Sequence, residues 1–89
     1  MKTIICHFSL FDSYQNVYLV DSETETHKHI ATTTMEELGQ IIANSCQATG
    51  TNKVHLFGNK QYADAIINDI IDNYNNQAYS NHTIEIEVN

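Results

Sequence analysis

The sequence contains no arginine and no proline, and its four lysines stand against eleven carboxylates, for a formal net charge of −7 over 89 residues. Proteins that grip phosphate backbones do so with clustered Lys and Arg, whereas Lys2, Lys28, Lys53 and Lys60 are scattered with no basic run. Direct nucleic-acid binding is therefore not expected. A surface field this negative instead attracts a basic protein partner at long range. The chain also lacks a Pro-rich linker, a low-complexity tract and an internal repeat. A chain this short closes one hydrophobic core, so residues 1–89 read as a single domain. No apolar run comes near the roughly eighteen residues that span a bilayer. The Met-Lys start lacks the apolar stretch of a secretory signal, and no membrane partner is expected. Cysteine is scarce too. Cys6 and Cys46 form no disulfide framework and lie in apolar segments, so they read as buried free thiols of a reducing compartment, the cytoplasm of a bacterium or of an infected host cell.

What is present is globular in character, with 42% hydrophobic and 17% charged residues and a polar surface made up by Asn and Thr. Residues 3–11 (TIICHFSLF) are apolar on both faces, which predicts a central strand. Asp12 to Asn16 break it and Val17 to Val20 resume, giving a β-hairpin. From Glu25 to Thr32, His27, His29 and Ala31 alternate with Thr26, Lys28, Ile30 and Thr32, as on an exposed edge strand. Thr34 with Glu37 makes a capping-box pattern at the start of a helix whose apolar face carries Met35, Leu38, Ile41, Ile42 and Ser45 or Cys46, and Gly50 ends it. Lys53 to Phe57 predicts a buried strand, Gly58 a break and Asn59 the next N-cap. Tyr62, Ala63, Ile66, Ile67, Ile70, Ile71 and Tyr74 then fall in two adjacent helical rows, which Asn75, Asn76 and Gln77 close. His82 to Val88 alternates Ile84, Ile86 and Val88 inward with Thr83, Glu85 and Glu87 outward. Tyr62 and Tyr74 read as the edges of the core, Tyr14 and Tyr79 as exposed contact residues. The order βββαβαβ predicts an α/β domain in which a five-stranded mixed sheet carries two packed helices.

Over residues 3–88 this order resembles the core of the ribonuclease H-like superfamily, and the run from Val54 to Ile66 (VHLFGNKQYADAI) is similar to a strand–Gly–helix junction seen there. The resemblance implies a ribonuclease H-like sheet. Nuclease members hold two metal ions with carboxylates from the middle of the first strand, the first helix and the end of the fourth strand. Here the first position reads Ile5, Cys6, His7, Phe8 and the third Phe57, Gly58, Asn59. Glu36 and Glu37 at the helix start have dipole and capping roles. ATPase members use a Gly-rich phosphate hairpin, and Phe11 to Asn16 contains no Gly. The resemblance thus carries over a fold and no catalytic residue.

Four sets of residues could still engage something. His7, His27, His29 and His55 are the candidate ligands of a transition metal, since His-x-His on a strand supplies two of the three or four groups required. No other cofactor is implied. A divergent metal-dependent hydrolase using His7, His55, His27 or Glu37 is the enzymatic alternative, and Cys6 with His55 is the remaining nucleophile pair. Gly58, Asn59 and Lys60 offer free N–H groups and a cation at a helix start, a place for a nucleotide or other anion. Asp64, Asp69, Asp72, Glu85 and Glu87 form an acidic surface. A small acidic protein without catalytic groups can occupy the nucleic-acid-binding surface of a basic partner, as phage-encoded inhibitors of host defence do. The expected function is such a non-catalytic interaction domain, an inhibitor or accessory factor of phage or mobile-element type. The third and last strands each offer an edge to a second copy, and Glu85 and Glu87 disfavour the latter.

Overall fold

The computed structural model describes residues 1–76 and 83–89. Its elements are β1 (Lys2–His7), β2 (Gln15–Asp21), β3 (Thr26–Thr33), α1 (Leu38–Thr49), β4 (Lys53–Phe57), α2 (Lys60–Asn75) and β5 (Glu85–Val88). They form one five-stranded sheet in the order β3-β2-β1-β4-β5. β1 pairs antiparallel with β2, and β2 with β3, while β1–β4 and β4–β5 are parallel. The mixed sheet with two helices is the architecture the sequence predicts, and β1 is its central strand.

The connections decide where the helices lie. Both crossovers, β3 to β4 through α1 and β4 to β5 through α2, join parallel strands and step toward the same edge of the sheet. Right-handed crossovers that step the same way fall on the same face. The core agrees: Ile4, Cys6 and Phe8 of the first strand region, Val17, Val54 and Leu56 meet Leu38, Ile42 and Cys46 of α1 and Ile66, Ile70 and Tyr74 of α2 in one buried cluster. The molecule measures 31 × 30 × 20 Å, the thin dimension matching one sheet and one helix layer. Among the described residues, no element covers the opposite face.

Several local expectations are corrected. The first strand ends at His7 rather than Phe11: Phe8 still gives its N–H to Phe57 O at 2.9 Å, but residues 9–14 leave the sheet as a loop. In β3 the alternation breaks at a bulge, where the register passes from Val17↔Ala31 to Tyr18↔His29. Ile30 and Ala31 both pack toward the core, and Thr32 joins His29 on the other face. An extra residue shifts every later side chain across the sheet, which a period-2 reading cannot show. The Thr34 capping box does not form. α1 begins at Leu38 with Glu37 as a cap residue making no side-chain cap bond, because the chain leaves β3 through backbone turns, Glu37 N–H to Thr34 O and Leu38 N–H to Met35 O, each at 3.3 Å. Gly50 ends α1 at φ 72°, and the Asn59 side chain accepts from Gln61 N at 2.9 Å, both as predicted. Within the expected last strand, His82 lies outside the described residues and β5 begins at Glu85. Gln77 and Tyr79 lie outside them too.

Candidate functional site

Two surfaces combine apolar exposure with fixed geometry. The first is the β1–β2 loop at the C-terminal ends of β1 and β4, beside the start of α2, where open α/β sheets usually take their ligands. Its backbone is tied down by Gln15, a buried residue (2% exposed) that the sequence places in an ordinary polar break. The Gln15 carboxamide accepts from Ser9 N at 2.9 Å and donates to Ser9 O at 2.8 Å and Asp12 O at 3.0 Å. Ser9 Oγ accepts in turn from Phe11 N at 3.2 Å. The loop so held carries Leu10 (51% exposed), Phe11 (100%) and Tyr14 (63%) outward. Leu10 and Phe11 join Phe8, Ser9, Asn59 and Tyr62 around a groove of 420 Å³. Tyr62, expected at the edge of the core, is exposed on this groove, whereas Tyr74 is buried as expected.

The second surface is the helix-free face of the sheet. Ile5, His7, Tyr18, Val20, His27 and Phe57 line a shallow, mostly apolar hollow of 280 Å³ on it. Phe57 stacks on His7 (centroids 4.4 Å, 10° between planes) and on His55 (4.1 Å, 25°), and Tyr18 meets His29 edge-on at 5.3 Å. His29 Nε2 also lies 3.0 Å from Asn16 Oδ1 and 2.9 Å from Thr32 Oγ1. Among the described residues the buried His55 Nε2 has no hydrogen-bond partner, and its charged neighbour, Glu87 Oε2, is 3.9 Å away, too far for a hydrogen bond.

The four candidate metal ligands, His7, His27, His29 and His55, thus share one face. The sheet spreads them over three strands, β1, β3 and β4, and His7 and His55 spend their rings on stacking. Among the described residues no three His, Cys, Asp or Glu side chains come together as a metal site requires. Glu37 sits at the start of α1, on the other side of the sheet from them. Cys6 faces the helices and His55 the open side, so the nucleophile pair is not assembled. Both cysteines are free and buried, and burial pushes the thiols up to about 11 for Cys6 and about 12 for Cys46. Neither is a nucleophile at neutral pH.

At the turn before α2, Gly58 N–H is already given to Asn89 O at 3.0 Å and the Asn59 side chain is used in capping, which leaves exposed Lys60 of the three candidate ligand residues. A Cβ on Gly58 would stand 2.6 Å from the Phe8 ring, so glycine is required there for packing. The acidic residues separate into two groups. Asp64, Asp69 and Asp72 are exposed on α2, while Glu85 and Glu87 point to the helix-free face along the β5 edge.

What the fold and these surfaces define is a two-layer α/β domain with one bare sheet face and a rigid apolar loop tip. No known family model matches the chain, and no curated protein matches it in sequence. Among the described residues no helix is long and apolar enough to cross a membrane.

Proposed function

We propose that this domain is a non-catalytic protein-binding module whose anchor is the β1–β2 loop and whose partner is a basic protein. The observation that carries this reading is Phe11, wholly exposed on a loop whose backbone is fixed by Gln15. An aromatic side chain held out on an ordered loop loses little entropy on binding and is the kind of residue that dominates interface energies. Leu10, Tyr14 and Tyr62 around it extend the apolar contact. The net charge of −7 supports a basic partner, with Asp64, Asp69 and Asp72 steering the approach from the α2 side. A partner that ordinarily binds nucleic acid would meet these carboxylates in place of phosphates, the behaviour of a phage or mobile-element inhibitor. Membership of the ribonuclease H-like superfamily is part of the same proposal, supported by the antiparallel β1–β3 meander continued by two helical crossovers.

Affinity capture from lysate of the source cells, with the wild-type chain and Phe11→Ala side by side, tests the reading. A basic protein retained by the wild type, lost with Phe11→Ala and eluted by moderate salt is the expected result. Retention that is indifferent to both salt and Phe11 would overturn it.

A further inference from the structure

The register of the sheet arranges the helix-free face in rows. One row runs His29, Tyr18, Ile5, His55, Glu87 across β3, β2, β1, β4 and β5. The row beside it runs His27, Val20, Thr3, Lys53, Glu85, since Val20 pairs with both His27 and Thr3, Lys53 with Glu85, and Thr3 and Lys53 precede the paired Ile4 and Val54. Each row begins with an imidazole at one edge and ends with a carboxylate at the other; the first has Ile5 at its centre, and the second has Thr3 there, flanked by Val20 and Lys53.

We propose that this face is covered by the same face of a second copy, related by a two-fold axis running along β1. The central strand has two strands on either side, so rotation about it lays β3 of one copy over β5 of the other and β2 over β4. Rows stay at the same height under that rotation. His29 then faces Glu87 of the second copy and His27 faces Glu85. Ile5 meets Ile5 on the axis, and Tyr18 lies over His55. A self-complementary dimer needs a surface whose two halves answer each other. Here one edge presents imidazoles, His27 and the Nδ1 side of His29, which donate from both ring nitrogens when protonated, and the other presents carboxylates, which only accept. A two-fold across the strands would instead set the β5 edges, each with Glu85 and Glu87, against one another.

Two further features fit this occupant. Among the described residues His55 Nε2 lacks a hydrogen-bond partner, and the facing Tyr18 hydroxyl is the donor that the register brings to it once Glu87 turns to the opposite His29. The broad face, 31 × 30 Å, can provide the roughly 800 Å² per partner of a standard interface. The repulsion between two copies of charge −7 is screened beyond about 8 Å at physiological salt. The loop tip that anchors the proposed partner stays free, so the two surfaces are independent.

Sedimentation of the full chain over a concentration series at physiological salt tests the dimer. The wild type should approach twice its 10.1 kDa mass. His27→Glu with His29→Glu should raise the dimer dissociation constant by about tenfold or more. Adding Glu85→Lys and Glu87→Lys to that same chain restores opposite charges only if β3 lies over β5, so the fourfold variant should dimerise again. A wild-type chain that stays monomeric overturns the proposal, as does a folded fourfold variant that stays monomeric. If the fourfold variant does not fold, Ile5→Lys on the axis decides: a folded monomer supports the arrangement, and a dimer of wild-type strength sinks it.

Discussion

At the scale of single residues, Gln15 does the most that composition could not announce. Its carboxamide makes three hydrogen bonds to the backbone of the 9–12 segment, and Gln15→Ala removes all three, leaving Ser9 O with only the long bond from Asp12 N–H at 3.3 Å. Lost hydrogen bonds of this kind cost about 1 kcal/mol each, so the variant should be less stable by roughly 2–3 kcal/mol in urea unfolding. Chymotrypsin should then cut the native protein faster at Leu10 and Phe11. An unchanged cleavage rate would mean that the loop is held by something other than Gln15. The cysteines give a pH-dependent expectation. Their folded pKa values, about 11 and about 12, lie above the unfolded thiol value of about 8.5. The folded state therefore keeps protons that the unfolded chain releases. The stabilisation is complete below pH about 8.5 and is lost as pH rises toward the folded values, by up to about 1.4 kcal/mol per pH unit for each thiol. Between pH 8.5 and 10.5 the wild type should lose more stability than Cys46→Ala; parallel pH profiles would show that Cys46 is not shielded as described.

At the scale of the elements, the two helix starts differ in a way that can be measured. Asn59 caps α2 through its side chain, so Asn59→Ala should cost about 1 kcal/mol in thermal or urea unfolding, while Thr34→Ala, removing no cap, should cost much less. Equal losses would contradict the cap assignment. The sequence made the second start legible because Asn59 follows a Gly break directly. It misplaced the first because Thr34 and Glu37 have capping-box spacing while the backbone turns after β3 set the entry into α1. Gly39 was equally hard to read. Helix propensity favours Ala over Gly by about 1 kcal/mol, yet a Cβ on Gly39 would collide with Asp69 Cβ and crowd the α2 backbone. Gly39→Ala should therefore destabilise, on the order of 1–3 kcal/mol, by pushing α1 off α2. The helical period shows which face of α1 is buried, not that another helix backbone lies against it.

At the scale of the molecule, element order, the mixed sheet and the central place of β1 were legible because periodicity and turn residues mark each strand and helix. The bare face was not, because Ile5, Val20 and Phe57 make the strands look apolar on both sides, as if helices covered each. The candidate site is legible in part: the sequence marks His7, His27, His29 and His55, but their common face follows from register, and the Phe11 loop lies inside an overlong predicted strand. The two faces make opposite demands on adjacent residues of β1. Ile4 is fully buried under the helices, and Ile5 is half-buried on the open side. A lysine at position 4 would bring an unpaired charge into the core, a penalty of several kcal/mol that rivals the whole stability of a domain this small. A lysine at position 5 extends over an open surface, where substitutions usually stay within about 0.5 kcal/mol apart from the packing lost. Ile4→Lys should therefore give an unfolded chain by circular dichroism, whereas Ile5→Lys should melt cooperatively within a few degrees of a monomeric wild type. Dimerisation adds a concentration-dependent part to the wild-type melting temperature that Ile5→Lys should lack. A second helix layer over the open face would make both variants unfold alike, so the contrast between these neighbouring positions measures how bare that face is.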